Sequence, residues 1–140
     1  MADIFAPDAT NKLLKTGEQG NVVQYVYEYD GAANSGDVIF MGKIPAGTRV
    51  TGLRLKTEDT GSTSTLDVGY APADGAAPVA SANYWFNDVD TSGAAYDGSS
   101  TAGPIRFERD VWLQVLVNAA NFTGTPLLQI IVTGINEGVK

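Results

Sequence analysis

Between Val22 and Tyr29 the chain alternates without interruption: Val23, Tyr25, Tyr27 and Tyr29 fall on one side of an extended backbone, and Val22, Gln24, Val26 and Glu28 on the other. A period of two sustained over such a run describes a half-buried β-strand and excludes a helix, whose apolar positions recur every three to four residues. Asp30-Gly31 and Asn34-Ser35-Gly36 end the run, and Val38 to Ile44 resumes as a short apolar stretch of the kind buried on both faces. Pro45-Ala46-Gly47 makes the next turn. Val50 to Lys56 then sends Leu53 and Leu55 one way, with Gly52 marking a bulge or a close backbone approach.

The pattern continues through the rest of the sequence. Thr65 to Tyr70 places Leu66, Val68 and Tyr70 inward and Asp67 outward; Tyr84 to Phe86 is a brief aromatic strand between an Ala- and Pro-rich loop (Ala71 to Ala82) and a long polar connection (Asp88 to Gly103). Ile105 to Glu108, Val111 to Val117 and Leu127 to Val132 complete about eight strands. Short strands punctuated by turn residues, in a chain with 16 glycines, predict an all-β fold. One or two long connections among eight strands fit an antiparallel β-sandwich of the jelly-roll kind, with an immunoglobulin-like sandwich as the alternative. A length of 140 residues suits one such domain, over residues 21–140.

Residues 1–20 lack the strand period and read as an extended N-terminal arm, in which Asp8 could cap one short helix over Ala9 to Lys15, stopped at Gly17. Ile4 and Phe5 are its apolar anchors, and Lys12 and Lys15 its charges. Such an arm either folds back on its own sandwich or grips a neighbouring subunit.

Chemistry is sparse. With no Cys and no His there is no thiolate, no imidazole base and no Ser-His-Asp arrangement, and no Gly-x-Ser-x-Gly elbow or phosphate loop is present. Glu108 lies between Arg106 and Arg109, where ion pairing is the ordinary role. Asp88, Asp90 and Asp97 could make a loose calcium site or simply a solvated acidic loop; the helix-loop-helix pattern fails because its twelfth position is Ser99. No enzyme and no cofactor are expected. A formal charge of −7 disfavours nucleic acid and anionic membranes as partners, and aliphatic runs of three residues are far too short to span a bilayer. The start of the chain has no secretory-signal pattern.

The segment Ile44-Pro45-Ala46-Gly47-Thr48-Arg49-Val50-Thr51-Gly52-Leu53-Arg54-Leu55, followed by Thr65-Leu66-Asp67-Val68-Gly69-Tyr70, resembles a turn-and-strand pattern of capsid decoration, or cement, proteins of tailed bacteriophages. The likeness covers residues 38–70 well and extends weakly over 111–132. It implies a structural virion protein made in the host bacterial cytoplasm. Such a protein binds the outer capsid surface where capsomers meet and holds the shell against internal DNA pressure. Its partners would be the major capsid protein and copies of itself, as a trimer or dimer. Ile4, Phe5, Lys12 and Lys15 are then the expected contacts to the shell, and Trp85 to neighbouring copies. The alternatives are a carbohydrate- or receptor-binding sandwich on a virion, with Tyr25, Tyr27, Tyr29, Tyr84, Trp85 and Trp112 as its candidate stacking rings, or another β-rich tail or connector protein.

Overall fold

The computed structural model describes residues 2–6, 22–61, 63–75 and 77–138. Ten strands run through them: β1 (Asp3–Phe5), β2 (Val22–Tyr29), β3 (Val38–Ile44), β4 (Thr48–Thr57), β5 (Thr65–Pro72), β6 (Ser81–Asp90), β7 (Tyr96–Ser99), β8 (Ile105–Arg106), β9 (Val111–Asn118) and β10 (Leu128–Asn136). One sheet has the order β1-β3-β9-β5-β6, and the other has β2-β10-β4-β7 with β8 added alongside β4. Four antiparallel pairs are nested: β2 with β10, β3 with β9, β4 with β7, β5 with β6. A long hairpin rolled so that successive pairs alternate between two sheets is the jelly roll, as the strand spacing predicts. Strand β1, parallel to β3, and the two-residue β8 are additions to that plan.

Alternation places the core. In β2 the side chains of Val23, Tyr25, Tyr27 and Tyr29 all point between the sheets, and β10 answers with Leu128, Ile130 and Val132. From the other sheet come Ile39, Met41, Leu66, Val68, Leu113 and Val115. Each fully buried aliphatic side chain contributes about 1.5–3 kcal/mol against the entropy of ordering it.

Two bulges keep this alternation in phase. Pairing of β3 with β9 steps from Phe40 to Gly42, so Met41 is an extra residue and both Ile39 and Ile44 face inward although five apart. The ring of Tyr27 occupies the space a side chain at position 42 would need, 2.3 Å from a Cβ there. Likewise β10 pairs Thr133 with Gly52 and Gly134 with Val50, leaving Thr51 extra, so that Val50 and Leu53 both point inward. Gly52 therefore marks a bulge, and a side chain there would meet nothing within 4 Å of its Cβ.

Several expectations change. Val38 to Ile44 is buried on one face only: Val38 and Phe40 are partly buried and Lys43 is exposed, because no second sheet covers the outer side of the first. Asp67 points away from the core yet is buried, its Oδ1 accepting the Asp88 N–H at 2.6 Å. Strand β6 is ten residues long rather than three, and the connection expected from Asp88 to Gly103 contains β7. Asn, Asp, Ser and Gly are poor strand formers, so neither is announced by composition; the ladders with β5 and β4 hold them. Ile105 to Glu108 shrinks to β8, beyond which Phe107 is buried.

Candidate functional site

The three carboxylates considered for a cation do not converge. Asp97 makes a two-pronged ion pair with Arg54 on the outer face of the second sheet, Nε to Oδ1 at 2.7 Å and Nη2 to Oδ2 at 2.6 Å. Asp90 accepts from the Ser92 hydroxyl and N–H at its own turn, and Asp88 from the Asn118 amide at 3.3 Å. Their hydrogen bonds hold the Asp90 and Asp97 carboxyls below the usual range. Among the described residues no three His, Cys, Asp or Glu side chains are grouped so as to hold a metal ion. Glu108 pairs with Arg106, which also meets Glu137 Oε1 at 3.0 Å; Arg49 reaches the same oxygen at 3.1 Å. This charge cluster ties the end of β10 to β4 and β8.

The aromatic residues divide into two groups. Tyr25, Tyr27 and Tyr29 are buried between the sheets, so they form no sugar-stacking platform. Trp85 is only 6% exposed and packs edge-on against Tyr70, Tyr84 and Phe107, with centroids 5.8, 5.4 and 6.3 Å away. Its ring therefore belongs to the core of this chain, and little of it is left for a neighbour to touch.

The second group lies on the outside of the sandwich. On the outer face of the first sheet Phe5 stacks on Phe40 at 5.0 Å, and Trp112 meets both, at 5.5 Å from Phe5 and 5.4 Å from Phe40. Lys43 places its ammonium 5.0 Å from the Trp112 ring centre, where the electron-rich face attracts a cation. Phe5 remains 50% exposed. The register explains the cluster: Phe5 is opposite Phe40, and Lys43 opposite Trp112. Sequence reasoning singled out Phe5, and Trp112 as one of six candidate stacking rings, but not Phe40, whose alternation with the buried Ile39 and Met41 was the available signal.

Residues 2–6 are bound to their own sandwich. The Asp37 carboxylate accepts the Ala2 N–H at 3.0 Å and the Asn34 N–H at 2.9 Å, and these bonds lower its pKa. The Val38 N–H donates to the Ala2 carbonyl at 3.1 Å and the Ala6 N–H to the Phe40 carbonyl at 3.0 Å. Ile4 packs against the core and Ala6 is fully buried. Lys12, Lys15 and the short helix expected after Asp8 lie outside the described residues.

Charge is unevenly distributed between the two ends of the sandwich. The loops 30–37, 58–64, 91–95 and 119–127 meet at one end, joined by bonds such as Phe122 N–H to the Ala33 carbonyl and Thr123 N–H to the Thr60 carbonyl. They carry Asp30, Asp37, Glu58 and Asp59 and no Lys or Arg. A buried hydroxyl group of Thr60, Ser64 and Thr91 fastens two of them, and Asp59 Oδ1 accepts the N–H groups of Gly61 and Gly93. Arg49, Arg106 and Arg109 sit towards the other end. Among the described residues no helix is long and apolar enough to cross a membrane.

No protein-family model matches the chain, and no curated protein does. Its fold, however, is similar to chains of three solved bacteriophage capsids. A chain of "Capsid of Ralstonia phage GP4" superimposes with a TM-score of 0.71 at 22% identity, covering 99% of both chains. For "Cyanophage Pam1 capsid asymmetric unit" the values are 0.57 and 19%, over 90% of this chain and 94% of that one. A chain of "Acidic stable capsid structure of Helicobacter pylori bacteriophage KHP30" gives 0.55 and 20%, over 81% and 89%.

Proposed function

We propose that the chain is a structural protein of a bacteriophage virion. More specifically, it is a decoration protein that sits on the outer capsid surface at capsomer junctions and stabilises the shell against the pressure of packaged DNA. The observation that carries this reading is the likeness to a chain of the Ralstonia phage GP4 capsid, which covers 99% of both chains. A two-sheet sandwich that buries Tyr25, Tyr27, Tyr29 and Trp85 in its own core accords with it. So does a net charge of −7, which favours solubility before assembly. Contacts repeated over a lattice can each be weak and still sum to a large effect. In this reading the major capsid protein and further copies of the chain are the partners. The arm, with Ile4, Phe5, Lys12 and Lys15, supplies contacts to the shell.

Quantitative mass spectrometry of purified particles tests the role. One copy per major capsid subunit, or a simple fraction of it, is the expected result; a few copies per particle would place the chain at a vertex or tail and overturn it. Deleting residues 1–17 should lower occupancy on the shell, and unchanged occupancy removes the arm from the contact.

A further inference from the structure

We propose that in the free protein the outer face of the first sheet pairs with the same face of a second copy, about a two-fold axis that lies between the two faces and runs across the strands. Register sorts the outward side chains of β1, β3 and β9 into three rows: Asp3, Val38 and Leu116 in the first, Phe5 and Phe40 in the second, Lys43 and Trp112 in the third. The middle of this strip is aromatic, with Phe5 50% exposed beside the rings of Phe40 and Trp112, 5.0 and 5.5 Å away. Among the described residues no second sheet covers that side. Rings grouped on an outer face are what the centre of a protein interface holds, and they supply most of its binding energy. Two sheets pack face to face about 10 Å apart, which accommodates one layer of such side chains from each.

Charge decides the occupant. Asp3 is exposed at one end of the strip and Lys43 at the other. A wholly acidic or wholly basic partner matches one end and repels the other, whereas a second copy turned about the Phe5–Phe40 row matches both. The first row of each copy then lies over the third row of the other. Lys43 meets the partner's Asp3, Trp112 covers the partner's Leu116, and the phenylalanines meet on the axis. The loop 30–37 leads into the first-row end of β3 and the loop 119–127 leaves β9 there, while Arg109 stands just before β9 at the third-row end. The same turn therefore sets each acidic loop end towards the arginine-bearing end of the other copy and keeps the two acidic ends apart. Pairing covers Phe5, which the proposed contact with the shell also uses, so the two contacts are alternatives for one face. The pairing itself concerns the free protein and does not depend on the virion role.

Sedimentation equilibrium of the isolated full chain, from about 1 μM to about 1 mM, reads the pairing directly. Expected is a reversible monomer–dimer equilibrium. Lys43→Glu alone sets like charges together at both symmetry-related contacts, as Asp3→Lys alone does, and each should weaken association about tenfold or more. Mixed in equal amounts, the two variants should associate within about threefold of the parent, because every such contact in the mixed dimer again joins opposite charges. Both positions are exposed, so the unfolding midpoints of the variants serve as the control for folding. Should Asp3→Lys loosen β1, Val38→Lys in the same row replaces it in the mixture. A chain that stays monomeric at about 1 mM, an oligomer other than a dimer, a dimer indifferent to both single variants, or a mixture that associates no better than its components overturns the proposal. Copy number on particles enters none of these outcomes, so the virion role is tested separately.

Discussion

Asp37 grips Ala2: one oxygen of its carboxylate accepts the Ala2 N–H at 3.0 Å while the other accepts the Asn34 N–H at 2.9 Å, so a single side chain joins β1 to the turn that launches β3. Hydrogen bonds to the charged form lower its pKa. A carboxyl depressed on folding contributes stability that is complete above its unfolded pKa, about 3.9, and is lost as pH falls through the lower folded value. The Ala6 and Val38 amides should therefore lose hydrogen-exchange protection in acid before the amides of β9 and β10 do. Asp37→Ala should abolish that acid-dependent step and leave β1 poorly protected at neutral pH as well.

Tyr25 and Tyr27 make a matched pair. The Tyr25 hydroxyl is buried without a hydrogen-bond partner among the described residues, and burial raises its pKa; that of Tyr27 donates to the Lys43 carbonyl. An unsatisfied buried polar group costs about 1–3 kcal/mol, and a made bond contributes about 1. Tyr25→Phe should be neutral or stabilise by about 1 kcal/mol, whereas Tyr27→Phe should destabilise by a similar amount. Urea unfolding of the two variants beside the parent distinguishes the signs.

Two glycines in strands should respond differently to a methyl group. A Cβ at Gly69 would lie 1.9 Å from the Ser81 carbonyl oxygen and 2.4 Å from the Ala82 carbonyl carbon, so backbone of β6 would have to move. Gly69→Ala should cost about 1–3 kcal/mol or more by overpacking. Nothing lies within 4 Å of a Cβ at Gly52, and Gly52→Ala should range from no change to about 1 kcal/mol of stabilisation. Thermal midpoints that fall equally for both would contradict the geometry.

Ile130 stands between Tyr27 on β2 and Leu55 on β4 and is fully buried. Ile130→Ala should cost about 2–5 kcal/mol from lost transfer energy and the cavity left behind. Denaturant titration gives the value, and a loss under 1 kcal/mol would mean that the sheets close over the vacancy.

Where one face of a strand is buried and its residues are strong β-formers, the sequence alone was sufficient. Val22–Tyr29 has the predicted bounds and the predicted inward tyrosines, and the nested pairing is the expected jelly roll. Elements defined by their partners were not legible. Strand β7, Tyr-Asp-Gly-Ser, exists because β4 offers a ladder and Arg54 a counter-charge. Strand β1 is too short to show a period, and its parallel docking on β3 is a long-range relationship. The outward side of β3 and β9 carries no local mark of exposure, so Trp112 was legible only as one of several candidate stacking rings, and its grouping with Phe5 and Phe40 emerged from register. Trp85 drew attention as a surface anchor because a large aromatic beside polar residues looks the same whether it faces water or lies beneath its own strand.

Strand β10 sits in the middle of its sheet, between β2 and β4, although it is made long after either. Glu28 and Gln129, hydrogen-bonded at 3.1 Å, are separated by 101 residues of chain. Until Leu128–Asn136 has been synthesised, β2 and β4 have no shared neighbour and that sheet cannot form. Such long-range pairing places folding in the millisecond-to-second range. Until β10 joins it the tyrosine face of β2 lacks a completed sandwich, and the net charge of −7 favours repulsion between neighbouring chains.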